Sequence, residues 1–373
     1  MFKEKVLATL NDRYYFLKKY LHDNLPKIFY RTAFNKKIRR AEYIQHFKLS
    51  SDYIDEIVSF WKPYENVNLL WHKAFSAISG IQDPRYIPED IFYKKIEPTL
   101  NRYDLAPAYV DKNMSDKLFH AFKRPQTLLR NMNGLYYDAN YQLMDLQEAL
   151  SFIKSYAKEH KIIMKPSIDS GAGKNVKVLD FRGIKPVIIL KKLTKLFKDY
   201  DKDFIVQNFL YQHDLFGQMH EESLNTIRLI SLRLNGKIHI LSRVVRMGNN
   251  GSYTDNAKSG SITCGFDEKG YLNSYAVNHW NYEIYEKHPY SHFEFKGKIL
   301  PSVTESFELV RKAHEQLIYF DLVSWDIAID RLNEPNLIEI GVNIQDINYH
   351  QRTNGPLFGS LTKEVLKKVY GQP

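Results

Sequence analysis

Two short runs near the C-terminus restrict the fold more than any other feature of the chain. Ser324 to Asp330 and Asn336 to Ile340 both read as strands, separated only by Arg331-Leu332-Asn333-Glu334-Pro335. Side chains alternate along a strand. Ile327 and Ile329 therefore face one way, and Asp326, Ala328 and Asp330 the other. The second run carries Glu339 within Leu337-Ile338-Glu339-Ile340. Antiparallel pairing of the two would set Asp326 and Glu339 on one face. An acid inside an otherwise apolar strand is costly unless paired. Hard carboxylate oxygens are also what magnesium prefers when it bridges phosphates. Two carboxylates on a wetted sheet surface are the plainer alternative.

The rest of the chain frames this pair. Its 373 residues allow two or three domains. Hydrophobic residues make up 44% and charged residues 26%, which is globular and argues against disorder. One cysteine, Cys264, excludes an internal disulfide framework and a cysteine-based zinc site. No apolar run approaches the ~18–20 residues of a membrane span, and early charges break any signal-peptide core. The expected location is the cytoplasm, including the inner face of the membrane. Residues 1–48 hold twelve basic and four acidic residues, +8 of the chain's net +10. Tyrosines and phenylalanines are interleaved there, so the segment suits an anionic membrane surface, or is a solvated helix. Nucleic acid is not expected, because no recognition motif accompanies the charge.

Residues 1 to about 60 read as helical. Ser50-Ser51-Asp52 caps a helix over 53–62 that ends at Lys62-Pro63. Residues 145–160 form an amphipathic helix. The texture then changes to strands: Ile162-Ile163-Met164, Phe204-Ile205-Val206, and 225–234 with 237–245 around the turn Asn235-Gly236. Helices follow over 302–317 and 360–370. The class is α+β with a helical N-terminal part, and boundaries fall near 105/106 and 206/207.

The loop after Met164, Lys165-Pro166-Ser167-Ile168-Asp169-Ser170-Gly171-Ala172-Gly173-Lys174, is the clearest local motif. A strand ends in a lysine, and glycines follow that let backbone N–H groups approach phosphate. It is not a Walker A motif: Ile168 stands where Gly is needed, and Asn175 where Ser or Thr is needed. A plain turn has the same composition. Arg228, in Asn225-Thr226-Ile227-Arg228, opens one strand and Arg246, in Arg246-Met247-Gly248, closes the next, and at strand ends a guanidinium can clamp phosphate or carboxylate. Surface arginines on a hairpin are the alternative. Cys264 reads as an inert buried thiol.

In this order the motifs resemble the ATP-grasp superfamily. More closely they resemble the sugar-transfer-associated ATP-grasp family of bacterial capsule and surface-polysaccharide synthesis. Asp111-Lys112-Asn113, Asn225-Thr226-Ile227-Arg228, Arg246-Met247-Gly248, Asp255-Asn256 with Gly260, and Trp325-Asp326-Ile327-Ala328-Ile329 carry the resemblance. It implies an ATP-grasp fold, two α+β subdomains over 106–206 and 207–373 that clasp ATP, preceded by a basic, mainly helical region over 1–105. It implies that Lys165 and Lys112 contact phosphates, with Lys117 the rival of Lys112. Ser170, Gly171, Ala172 and Gly173 would close over the triphosphate. Gln207, Asn208, Phe209 and Leu210 would be the hinge, with backbone groups reading adenine, and His213 or Asp214 would sit near the ribose. Asp326 and Glu339 would bind Mg²⁺. Arg228 and Arg246, with Asn256, would serve the reaction. The superfamily's Glu-x-Asn is broken, because Gly341 stands in the Asn position and the next Asn is Asn343. In extended chain Asn343 lies ~13 Å from Glu339, so it joins the metal only if Gly341 permits a bulge or turn.

The implied activity is carboxylate–amine ligation driven by ATP through an acyl phosphate. The expected substrates are a small or glycan-linked carboxylate, such as a sugar acid or amino acid, and an amine acceptor. A kinase of the same fold, or a non-catalytic ATP-binding protein at the membrane, are the alternatives.

Overall fold

The computed structural model describes residues 42–168, 175–249, 260–279 and 281–371. Most of the basic segment 1–48 lies outside them. The chain divides into two compact units, the described parts of Met1–Thr99 with Gly355–Pro373, and Leu100–Asn354. No described helix is long and apolar enough to cross a membrane.

The first unit is helical. Ser50 caps the helix Ser51–Trp61 by accepting from the Tyr53 N–H at 3.3 Å. Tyr53, Ile57 and Trp61, spaced four residues apart, form its buried face. Trp61 and His72 both reach the Pro84 carbonyl, at 2.9 and 3.1 Å, which fixes the 80–88 loop. The C-terminal helix Thr362–Tyr370 belongs to this unit, where the Tyr370 hydroxyl donates to Glu65 at 2.8 Å.

The second unit is built on two antiparallel sheets. The first comprises β1 (Thr127–Met132), β2 (Leu135–Asp138), β3 (Leu143–Met144), β4 (Ile162–Pro166), β5 (Lys177–Leu179) and β6 (Phe204–Asn208), in the order β3-β2-β1-β6-β4-β5. Two helices bury their apolar stripes against it. Leu146–Ala157 starts in a capping box between Asp145 and Glu148, and Pro186–Tyr200 contributes Ile189, Leu193 and Phe197. Each of these large side chains, fully buried, is worth roughly 1.5–3 kcal/mol.

The second sheet comprises β7 (Thr226–Leu234), β8 (Lys237–Met247), β9 (Ile262–Phe266), β10 (Leu272–Asn278), β11 (Ile284–Tyr285), β12 (Leu322–Ile329) and β13 (Pro335–Gly341), ordered β11-β10-β9-β8-β7-β12-β13. The Asn235-Gly236 turn joins β7 to β8 as expected, with φ of 51° and 73° and Leu234 opposite Lys237. Asn133-Gly134 makes the same turn between β1 and β2, although the sequence expectations do not include that hairpin. Helix Val303–Glu315 packs on the sheet, whose core holds Leu229, Val245, Trp325 and Ile327. All eight residues of β12 are buried, so Asp326 enters the interior with its apolar neighbours.

Candidate functional site

A cleft of about 1120 Å³ is lined from both sheets of the second unit. One end is cationic. Lys165 stands at the end of β4, and Lys112 opens the helix Lys112–Leu118, capped by Asp111. The Lys112 N–H donates to the Ser167 carbonyl at 3.0 Å, which ties this helix start to the chain just past β4. Lys112 Nζ meets Glu339 Oε1 at 3.1 Å. Among the described residues Lys165 has no hydrogen-bond or ion-pair partner. Burial, then repulsion from Lys112, pushes its ammonium down to about 8. Nearby, Arg124 and Arg130 share the Asp116 carboxylate, the first at 2.9 Å.

The other end centres on Asp326. Register sets it directly opposite Glu339 on β13 and directly opposite Arg228 on β7. Arg228 holds both carboxylate oxygens, Nε to Oδ1 and Nη2 to Oδ2, each at 2.6 Å. Its Nη1 donates to the Tyr349 hydroxyl at 2.8 Å. Arg246 adds a contact of 3.2 Å from β8. Burial alone would raise the Asp326 pKa. The two guanidinium charges outweigh it and hold the carboxyl below its ordinary range.

The hinge residues divide. Phe209 and Leu210 line the cleft, with Tyr211 and Gln212 after them. The Phe209 N–H is taken by the Lys161 carbonyl at 3.2 Å, whereas the Leu210 N–H has no partner among the described residues. Gln207 is turned into the sheet, toward Pro125 O and Thr127 Oγ1 at 3.3 Å, and Asn208 pairs its N–H with Gln126 O. His213 accepts from the Leu215 N–H as a helix cap, which leaves Asp214 as the side chain at the cleft. Lys117 lies over the Tyr141 ring at 5.4 Å and is not among the lining residues, whereas Lys112 is. Asn343 also lines the cleft, beyond the end of β13, where Ile344 takes φ of 51° and turns the chain. Ser170, Gly171, Ala172, Gly173 and Asn256 lie outside the described residues. Cys264 is buried, and burial pushes its thiol far up, so it is inert as expected.

The motif residues Asn225 and Gly248 prove to be architectural. Asn225 Nδ2 donates to Phe216 O and His220 O, both at 2.7 Å, and its Oδ1 accepts from Ser223 Oγ at 2.7 Å. The Gly248 N–H reaches Ser223 Oγ and Asn225 Oδ1 at 3.1 and 3.2 Å. A Cβ at position 248 would fall 2.5 Å from Ser223 Oγ and 2.8 Å from His220 Nδ1. Gly248→Ala should therefore lower stability by about 1–3 kcal/mol, read as a reduced denaturation midpoint, because the overpacked node is closed on every side. This node fixes the end of β8, two residues after Arg246.

Antiparallel sheets that share one cleft, with Lys112 and Lys165 beside a strand-borne carboxylate pair, are the arrangement of an ATP-grasp protein. The chain belongs to the sugar-transfer associated ATP-grasp family, whose profile matches residues 92–368. No curated protein sequence matches it significantly. Among solved structures it resembles D-alanyl-alanine synthetase A from Vibrio cholerae, at 12% identity and a TM-score of 0.41, covering 70% of this chain and 65% of that one. It also resembles the biotin carboxylase domain of Hydrogenobacter thermophilus 2-oxoglutarate carboxylase, at 13% identity and a TM-score of 0.44, covering 73% and 48%. The chain thus spans less than two thirds of the length of these structures.

No group of three His, Cys, Asp or Glu side chains suited to a metal gathers among the described residues. The two opposed carboxylates still fit magnesium, which needs only one or two of them and completes its shell with phosphate oxygens, water and neutral oxygen donors. Arg228 and Arg246 each contact both oxygens of Asp326, at 2.6 Å and at 3.2–3.4 Å, so a bound cation would share Asp326 with them, whereas Glu339 gives only Oε1 to Lys112 and keeps Oε2 for a cation.

Proposed function

We propose that this chain binds ATP in the cleft and uses it to couple a carboxylate to an amine. The observation that carries this reading is the Lys165 side chain, without a hydrogen-bond or ion-pair partner among the described residues, in one cleft with Asp326, gripped by two arginines, and Glu339, paired with Lys112. Lys165 and Lys112 would hold the α- and β-phosphates. The free Leu210 N–H would meet the adenine edge, with Phe209 against the ring and Asp214 at the ribose. Asp326, Glu339 and Asn343 are the side chains that would hold Mg²⁺, which supplies Lewis-acid neutralisation of phosphate charge when bound. Ser170, Gly171, Ala172 and Gly173 would close over the triphosphate, and Asn256 would serve the reaction.

Arg228 and Arg246 would stabilise charge on the transferring phosphoryl group. A carboxylate oxygen attacks the γ-phosphorus as its bond to the ADP oxygen breaks. The amine then attacks the acyl carbon, phosphate departs with the C–O electron pair, and the amine loses a proton. The family's description associates it with sugar transfer, and we take the carboxylate to be a sugar acid or amino acid of cell-surface polysaccharide synthesis. The proposed division of labour places the phosphate side in 106–206 and the metal side in 207–373.

Product analysis tests the reading. Incubation with ATP, Mg²⁺ and paired panels of uronic acids and amines should release ADP and free phosphate and form an amide detectable by mass. Phosphate retained on the acceptor would instead mark a kinase. Absence of turnover with intact ATP binding would mark a binding protein.

A further inference from the structure

The departure at Gly341 has a structural counterpart on the neighbouring strand. Ser324 pairs with Gly341 across β12 and β13, two residues from the pair Asp326 and Glu339. The register is regular from 324↔341 through 326↔339, and the bulge begins only after it. Residues two apart on a strand share a face. Ser324, Asp326, Glu339 and Gly341 therefore form one two-by-two block, and all four line the cleft. Gly341 contributes no side chain to this block.

The glycine is not there for backbone freedom, because its φ is not positive. It is there for space. A Cβ at position 341 would lie 2.5 Å from Ser324 Oγ. The serine hydroxyl thus occupies the volume into which a side chain at 341 would project. Its one hydrogen bond among the described residues is a 3.4 Å donation to the Gly341 carbonyl, so no described group donates to its oxygen. A hydroxyl is an adequate magnesium ligand in a phosphate site, as in P-loop proteins.

We infer that Ser324 Oγ supplies a neutral oxygen of the cation site beside Asp326 and Glu339, in addition to Asn343, replacing from β12 the side chain absent at Gly341. The assignment rests on the nucleotide reading of the cleft. It makes Ser324 and Gly341 a compensating pair, in which either strand can deliver the oxygen but not both.

Mn²⁺ binding in the presence of ADP, followed by the electron paramagnetic resonance signal of free Mn²⁺, tests this without turnover. Ser324→Ala should weaken Mn²⁺ binding about tenfold or more, a loss typical of metal-site groups. ADP binding without metal should stay within about twofold. Gly341→Asn alone should be destabilised by the clash. Ser324→Gly combined with Gly341→Asn should restore Mn²⁺ affinity to within about threefold of the original chain. Unchanged Mn²⁺ affinity in Ser324→Ala would overturn the assignment while leaving the nucleotide reading intact. So would a folded double variant that binds Mn²⁺ no better than Ser324→Ala. If the unaltered chain bound neither ADP nor Mn²⁺, the nucleotide reading would fail, and this assignment with it.

Discussion

Lys165→Ala should abolish ATP binding detectable by calorimetry, a loss of at least about a hundredfold. The side chain makes no bond within the described protein, so its removal does not damage the fold. Its charge faces the cleft, where a pair of unit charges 4 Å apart is worth up to about 4 kcal/mol at an effective dielectric of 20. A charge-assisted hydrogen bond to phosphate alone contributes roughly 1.5–3 kcal/mol. The same residue predicts a pH profile. Burial and Lys112 place its titration at about 8 in the free protein. Only the ammonium form attracts phosphate. ATP affinity should therefore be flat from pH 6 to 7.5 and then fall by up to about tenfold per unit above 8. Bound phosphate stabilises the ammonium, so ATP should in turn raise the lysine's pKa. Calorimetry at several pH values reads both effects. Undiminished affinity in Lys165→Ala would remove this residue from the site.

Asp326→Ala should be the most destabilising single change in the cleft, by about 3–5 kcal/mol, because it strands the buried guanidinium of Arg246 and the partly buried one of Arg228. For a unit of this size the midpoint of thermal unfolding should fall by on the order of 10 °C. Replacing the pair together, Asp326→Leu with Arg228→Met, should recover part of that loss, since an apolar pair leaves fewer charges unmatched. Acid dependence gives an independent check. The arginines depress the folded-state pKa of Asp326 below its unfolded value of ~3.9. Its contribution to stability is thus complete above that value and is lost as pH falls toward the depressed folded value. Asp326→Asn should flatten stability over this acid window, as read by urea unfolding at pH 2.5–5. A variant as stable as the original chain would show that the arginines are not held by this carboxylate.

Local signals made much of the framework legible. Ser50, Asp145 and Asn235-Gly236 act through bonds to residues two or three positions away, so their helices and turn follow from neighbours in the chain. The β12–β13 hairpin was legible for the same reason, and with it the opposition of Asp326 and Glu339. The helix Pro186–Tyr200 and the β1–β2 hairpin were not anticipated, although Pro186 at the helix start and Asn133-Gly134 carry ordinary signals. The resemblance puts either His213 or Asp214 near the ribose; the structure gives the His213 side chain to the Leu215 N–H and leaves Asp214 in the cleft lining. A motif gives a side chain's place in the chain, not the partner that satisfies it.

The amino-acid sequence by itself determined the α+β class, the hairpin that opposes Asp326 and Glu339, and the lysine near the end of β4, because each depends on residues close together in the chain. Only the tertiary structure decided how these groups are charged and joined. Arg228 grips Asp326 across 98 residues of chain, and Lys112 reaches Glu339 across 227. Ser324 fills the gap above Gly341 because strand register brings the two together. Pairings at such separation form only when whole sheets assemble. They are set by which strands become neighbours, a choice made by burial over the entire core rather than by any local run of residues.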